Sequence, residues 1–151
     1  MDIHYEIHIK GIVQGVGFRP FIYKLANSLQ LKGSVSNNTE GVLIEVEGDR
    51  KQCNTFINTI TNEKPSLSKI YSINIIEKEL KQYLEFTIIE SSVSLQKSAF
   101  YSPDVNLCND CLTELFNKKD RRYKYPFITC INCGPRFSIV KNIPYDRNNT
   151  S

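Results

Sequence analysis

Two groups of residues in this 151-residue chain have types and spacings fit for chemistry. The first is the run Gln14-Gly15-Val16-Gly17-Phe18-Arg19, a glycine-bracketed loop that ends in arginine and leads straight into Pro20 and an amphipathic segment. Two glycines let successive backbone N–H groups turn toward one point, a helix starting there adds its positive end, and a guanidinium offers a planar fork for two phosphate oxygens. An arginine at the positive end of a helix is unfavourable by up to about 1 kcal/mol. A bound anion removes that conflict; a tight turn with no ligand is the plainer reading of the same glycines. The loop has neither the Gly-Lys-[Ser/Thr] ending of a P-loop nor the third glycine and distal acid of a dinucleotide site.

The second group is Cys108, Cys111, Cys130 and Cys133, two Cys-x-x-Cys pairs with eighteen residues between them. Four thiolates close a tetrahedral site, each pair acting as one knuckle, and this spacing is that of a structural Zn2+ module more than of an iron–sulfur cluster. With sulfur at all four positions no coordination site stays open, so the metal is expected to have no catalytic role. Cys53 stands apart at an apolar helical position and reads as a buried structural thiol.

These groups need a scaffold. Ile3, Tyr5, Ile7 and Ile9 alternate with His4, Glu6, His8 and Lys10, the period of a half-buried strand, which puts both histidines on the polar face as solvated groups. After the loop, Phe21, Ile22, Leu25, Ala26 and Leu29 recur at helical spacing, with Pro20 suited to the first helical position and Gly33 to the stop. Ser34 to Asn37 and Val42 to Glu47 read as short strands joined by the turn Asn38-Thr39-Glu40-Gly41. A second helix is expected from an Asp49 cap, with Cys53, Phe56, Ile57 and Ile60 on one face and Pro65 beyond its end. Strands over Lys69–Ile76 and Tyr83–Ile89 complete the pattern.

The order predicts an α+β fold for residues 1–91, a ferredoxin-like βαββαβ sandwich with an antiparallel sheet and both helices on one face. Residues 92–103 lose periodicity and are expected to be a linker. Residues 104–151 form a cysteine module too small to fold on a core alone, to which zinc can add on the order of 10 kcal/mol. Asn37 ends a strand expected beside the first, which aims its carboxamide at the edge where the loop lies; opening the hairpin is the alternative.

At 40 % hydrophobic residues the chain can bury a core, and no run approaches the roughly 18 apolar residues of a membrane span. The first residues lack the order of a secretory signal, so the cytoplasm is expected, and there the cysteine spacing reads as metal and not disulfide. Residues 1–91 hold ten Lys/Arg and eleven Asp/Glu, net −1, whereas residues 92–151 hold nine and five, net +4. Between the knuckles, Lys118-Lys119-Asp120-Arg121-Arg122-Tyr123-Lys124-Tyr125 is basic and aromatic, either a nucleic-acid surface or a solvated face.

Gly11-Ile12-Val13-Gln14-Gly15-Val16-Gly17-Phe18-Arg19 resembles the signature of the acylphosphatase family, and Gly33-Ser34-Val35-Ser36-Asn37 followed by Gly41 resembles its second motif. The resemblance covers residues 1 to about 91 and implies that Arg19 and the loop amides hold an acyl phosphate while Asn37 orients the attacking water. No side-chain base is implied, because a phosphate oxygen of the substrate can accept the proton. The cysteine half, with Cys108-Asn109-Asp110-Cys111, Asp120-Arg121-Arg122-Tyr123, Tyr125-Pro126-Phe127, Cys130-Ile131-Asn132-Cys133-Gly134-Pro135-Arg136-Phe137 and Pro144-Tyr145-Asp146-Arg147, is similar to the zinc-finger region of the HypF-type hydrogenase maturation carbamoyltransferases.

In HypF-type proteins an acylphosphatase domain precedes that region, so both halves point to one family in one order. The resemblance implies carbamoyl phosphate or another acyl phosphate as substrate, and ATP. It implies as partners downstream carbamoyl-transfer domains and a maturation protein that accepts the carbamoyl group on a cysteine, toward the cyanide ligands of nickel–iron hydrogenase. A second cysteine module and the nucleotide-binding and transfer domains are not in this sequence. An N-terminal piece of such a protein is therefore expected, able to hydrolyse but not to complete transfer. The contrasting reading is a zinc-stabilised module that binds an anion or nucleic acid without catalysis.

Overall fold

A computed structural model describes residues 1–91, 106–130, 133 and 141. The expected linker at 92–103, and residues 104–105, 131–132, 134–140 and 142–151 of the cysteine half, lie outside the described residues. The first part runs β1 (Asp2–Ile12), α1 (Phe18–Ser28), β2 (Lys32–Asn38), β3 (Gly41–Asp49), α2 (Arg50–Asn62), β4 (Lys69–Lys78) and β5 (Phe86–Ile88). In the second part α3 spans Asn109–Phe116.

The sheet order is β4-β1-β3-β2-β5. β1 lies antiparallel between β3 and β4, β2 is antiparallel to β3, and β5 joins β2 in parallel at the far edge. The expected ferredoxin-like α+β sandwich is present, and its fifth strand makes the sheet mixed. One adjacency differs from expectation: β2 is not beside β1. The β2–β3 hairpin returns β3 against β1, in register from Asp2↔Asp49 to Ile9↔Val42, and so places β2 one strand farther out.

Alternation explains the core. Ile3, Ile7 and Ile9 of β1, Val35 of β2 and Val42, Ile44 and Val46 of β3 are buried together with Ile22 and Ala26 of α1 and Cys53, Phe56 and Ile60 of α2. Burying one such aliphatic or aromatic side chain is worth about 1.5–3 kcal/mol. Asp49 caps α2 as expected, accepting from the Lys51 N–H at 2.9 Å. Cys53 is fully buried, and that burial pushes its thiol up to about 11, as a structural thiol requires.

Three local expectations are corrected. Helix α1 begins at Phe18, which makes Pro20 its third residue; the first-turn N–H groups have no intrahelical partner, so proline costs nothing there. The helix stops at Leu29–Gln30, with Gln30 at φ 55° and the Leu31 N–H bonded to the Ala26 carbonyl at 2.9 Å. Gly33 belongs to β2, where a Cβ would stand 1.9 Å from the Glu45 carbonyl oxygen, so close strand approach and not capping demands glycine. Finally, His4, expected on the polar face as a solvated group, is completely buried. Period-2 patterning assigns faces but does not say whether the chain later returns over one of them.

Candidate active site and metal centre

The loop between β1 and α1 is built on anchors. Val13, Val16 and Phe18 are each 1 % exposed, so their side chains belong to the core and only their backbone is available to a ligand. Between the anchors the chain reverses through Gly15 at φ 69° and Gly17 at φ 77°, left-handed conformations that glycine adopts without a Cβ penalty. Gly17 is the N-cap of α1, yet no side chain caps this helix and its first turn contains no acidic residue. The positive end of α1 thus has no negative group of its own. Arg19 is the second residue of that helix and is half-buried.

Asn37 is 1 % exposed near the end of β2. It pairs with Val42, which pairs with Ile9, so the three residues form a row across β2, β3 and β1 on the face that carries the helices. Gln14 joins this row to the loop: its Nε2 donates to the Asn38 carbonyl and to the Gly41 carbonyl, both at 2.7 Å. Asn38 Oδ1 in turn accepts from the N–H groups of Glu40 and Gly41 at 2.9 and 2.8 Å and shapes the turn. The Gln14–Arg19 loop and Asn37 therefore gather at one end of the sheet although their strands are not neighbours.

The side chain of Gln14 was not foreseen as a strap. Nothing in the spacing reveals it, since its partners are backbone carbonyls of a hairpin whose position depends on the strand order. Along the outer flank of α1 a groove of about 360 Å³ runs past Val16, Gly17, Phe21 and Lys24 to Pro65. It adjoins the loop but takes in neither Arg19 nor Asn37.

The four cysteines converge. Cys108 is the N-cap of α3, Cys111 lies in its first turn, and the four sulfurs are all within 4.8 Å of one another. Cys108–Cys130, Cys111–Cys133 and Cys130–Cys133 are 3.4, 3.7 and 3.8 Å apart, and none of the four is joined in a disulfide. A tetrahedron with Zn–S bonds of about 2.3 Å has sulfur–sulfur edges of about 3.8 Å, so the cluster fits a tetrahedral metal. Burial and the three neighbouring thiols push Cys111 far up. Burial also works to raise Cys133, but backbone N–H donors at Cys130 and Cys108 and the neighbouring thiols outweigh it and draw it down to about 6. Four thiolates in this space need a cation among them.

Around the cluster, Arg122 pairs with Glu114 of α3 and donates to the Thr129 carbonyl at 3.2 Å. One guanidinium of the basic run is thus committed to holding the module together, and the Lys124 ammonium lies over the Tyr123 ring at 5.4 Å. That leaves the run less suited to a nucleic acid than its composition implies.

Comparison with known proteins is decisive at this point: the acylphosphatase family profile matches residues 5–88, more than half of the chain. The chain belongs to the acylphosphatase family. Beyond that domain, the HypF finger profile matches residues 107–140. The "Probable carbamoyltransferase HypF" of Methanocaldococcus jannaschii is 50 % identical over 146 residues, covering 95 % of this chain and 19 % of that protein. The carbamoyltransferase HypF of a Synechocystis species is 43 % identical over 145 residues. A crystal structure of full-length HypF in the phosphate- and nucleotide-bound form superimposes with a TM-score of 0.91 at 51 % identity, over 99 % of this chain and 20 % of that one. The acylphosphatase of Bacillus subtilis matches with a TM-score of 0.54 and 34 % identity, over 59 % of this chain and 99 % of its own. The chain spans about a fifth of the length of the HypF relatives it matches. The acylphosphatase domain and the HypF finger occur together, as the sequence motifs implied. Among the described residues, no helix is long and apolar enough to cross a membrane.

Proposed function

We propose that the acylphosphatase domain hydrolyses an acyl phosphate, carbamoyl phosphate foremost, at the Gln14–Arg19 loop. The observation that carries this reading is the pair of hydrogen bonds from Gln14, which fixes the loop against the strand end that bears Asn37. The phosphoryl group sits on the loop N–H groups and the positive end of α1, and Arg19 takes two of its oxygens. The Asn37 carboxamide orients a water in line with the bond to be broken. The water oxygen bonds to phosphorus, the phosphorus–oxygen bond to the acyl group breaks, and that oxygen leaves as carbamate or carboxylate. A phosphoryl oxygen takes the proton of the water, so no carboxylate or histidine acts as base. Donors fixed in advance around developing charge are each worth about 2.7–4 kcal/mol of barrier.

In the HypF context this hydrolysis is the first step of carbamoyl transfer in nickel–iron hydrogenase maturation, in the cytoplasm. The transfer itself falls to other parts of HypF-type proteins, acting with a maturation protein that accepts the carbamoyl group. Zinc is the metal assigned to Cys108, Cys111, Cys130 and Cys133. When bound it compensates four thiolates and cross-links the finger, with no part in the reaction.

Phosphate release from carbamoyl phosphate and acetyl phosphate tests the assignment. Arg19→Ala is expected to lower kcat/KM about 10²–10³-fold, and Asn37→Ala to lower kcat while inorganic phosphate still binds. Equal rates for the parent chain and Arg19→Ala would remove the catalytic reading.

A further inference from the structure

The sheet has two edges, β5 with three residues and β4 with ten. The segment that joins them crosses the face away from the helices, where the Glu79 carbonyl oxygen lies 2.7 Å from His4 Nδ1. It leaves the outer margin of β4 open: among the described residues no strand pairs along that side. Soluble proteins guard such an edge by keeping it short, by charge or proline, or by a bulge. β4 has a bulge only at its start, where Ser72 is opposite Lys10 and Ile70 opposite Gly11, so that Tyr71 is the extra residue. From Ser72 to Lys78 the strand is regular, contains no proline and carries no charge before Glu77.

The apolar side chains of this stretch are incompletely covered. Ile73 and Ile75 are in register with Ile9 and Ile7 of β1 and share their face. Ile7 and Ile9 are each 1 % exposed whereas Ile75 is 40 % exposed, so the helix layer that closes over β1 reaches β4 only in part. Ile76, on the other face, is 37 % exposed. The two charges at the end of the strand are engaged within the chain: Glu77 accepts from Arg50 at 3.1 Å, and the Lys78 ammonium lies 3.6 Å from Glu6. Neither meets an incoming strand as an isolated charge.

The residues of the strand select its partner. A second β4 laid antiparallel about a two-fold axis at Ile75 pairs all seven residues from Ser72 to Lys78: Ile75 with its counterpart, Asn74 with Ile76, Ile73 with Glu77 and Ser72 with Lys78. No like charges are opposed. An axis at Asn74 or Ile76 pairs only five residues of that stretch, and a parallel copy in register sets Glu77 beside Glu77 and Lys78 beside Lys78, which is destabilising. We propose that β4 is a self-association edge, through which two copies of this chain join at Ser72–Lys78 into one continuous sheet. The contact uses the same surface on both copies, so it closes as a dimer, and the Ile73 and Ile75 side chains of both form one apolar strip.

Sedimentation velocity on the full chain, under reducing conditions so that cysteines cannot link copies, tests this. A reversible, concentration-dependent step from monomer to dimer is expected, ending at two, with every second amide of residues 72–78 gaining protection from hydrogen exchange in the dimer. Ile75→Lys and, separately, Ile75→Asp set like charges face to face at the axis and should each abolish the dimer; the position is exposed, so neither disturbs the core. Mixed in equal amounts the two variants should recover it, because an axis at residue 75 places the lysine opposite the aspartate. A chain that stays monomeric to its solubility limit, a dimer that survives either substitution, a mixture that remains monomeric, or assembly that runs on past two copies overturns the proposal.

Discussion

Seventeen buried residues make the core of the acylphosphatase domain, nearly all aliphatic or aromatic, whereas the buried cluster described for the HypF finger consists of Cys111, Ile128 and Cys133. The first region excludes water from side chains delivered by strands and helices far apart in sequence. Among its described residues the second has two sulfurs and one isoleucine at its centre, too few to gain comparable free energy from burial. Two domains of one chain thus depend on different physics, and perturbations should separate them.

Removal of metal is the largest such perturbation. Structural zinc contributes on the order of 10 kcal/mol to modules of this kind, so chelation, or Cys111→Ser, is expected to collapse the dispersed NMR signals of residues 107–130 while those of residues 1–91 persist. Acid acts in the same direction, because protons compete with the metal for thiolates and affinity falls with pH. Retention of the finger signals under full chelation would show that it has a core the described residues do not reveal.

The converse perturbation is smaller. Ile44→Ala empties a completely buried position in the central strand pairing and is expected to cost about 2–5 kcal/mol of the stability of the acylphosphatase domain. Thermal unfolding followed alongside metal content checks it: the domain transition should move down while bound metal stays. A loss of metal at the same midpoint would mean that the two regions melt as one.

The contrast extends to what could be read from sequence. The convergence of the four finger cysteines was legible outright, because two Cys-x-x-Cys pairs at such a spacing are the pattern of a closed four-sulfur cluster. The strands and helices of the larger domain were legible where a single element decides the outcome, as with the Asp49 cap and the alternation of Ile3, Ile7 and Ile9. What stayed hidden depends on how elements come together. The position of β2, the burial of His4 beneath residues 79–83 and the clamp from Gln14 are set by strand order and by one long crossover. Gly33 misled for a related reason: it answers to the Glu45 carbonyl on the next strand and not to its own neighbours.

Within the acylphosphatase domain, the same comparison can be made between a residue proposed to touch the anion and one that positions the loop. Arg19→Lys retains the charge but loses the planar fork, so kcat/KM should fall nearly as far as in Arg19→Ala, by about 10²-fold or more. Stability to denaturant should stay close to that of the parent chain, since Arg19 is half-buried at a helix start and is not a member of the hydrophobic core. Activity near the parental level in Arg19→Lys would reduce the residue to a point charge.

Gln14 is expected to behave in the opposite way, with the smallest effect of the series. Gln14→Ala leaves the Asn38 and Gly41 carbonyls without their 2.7 Å donors in a site where the glutamine is 4 % exposed. A buried polar group stripped of its partner costs about 1–3 kcal/mol, so chemical denaturation should register the change directly. Catalysis should weaken through KM for the acyl phosphate, because the loop amides lose their alignment with Asn37 while Arg19 is unaltered. A stability loss with unchanged KM would mean that Val13, Val16 and Phe18 suffice to hold the cradle, and that the strap serves the hairpin alone.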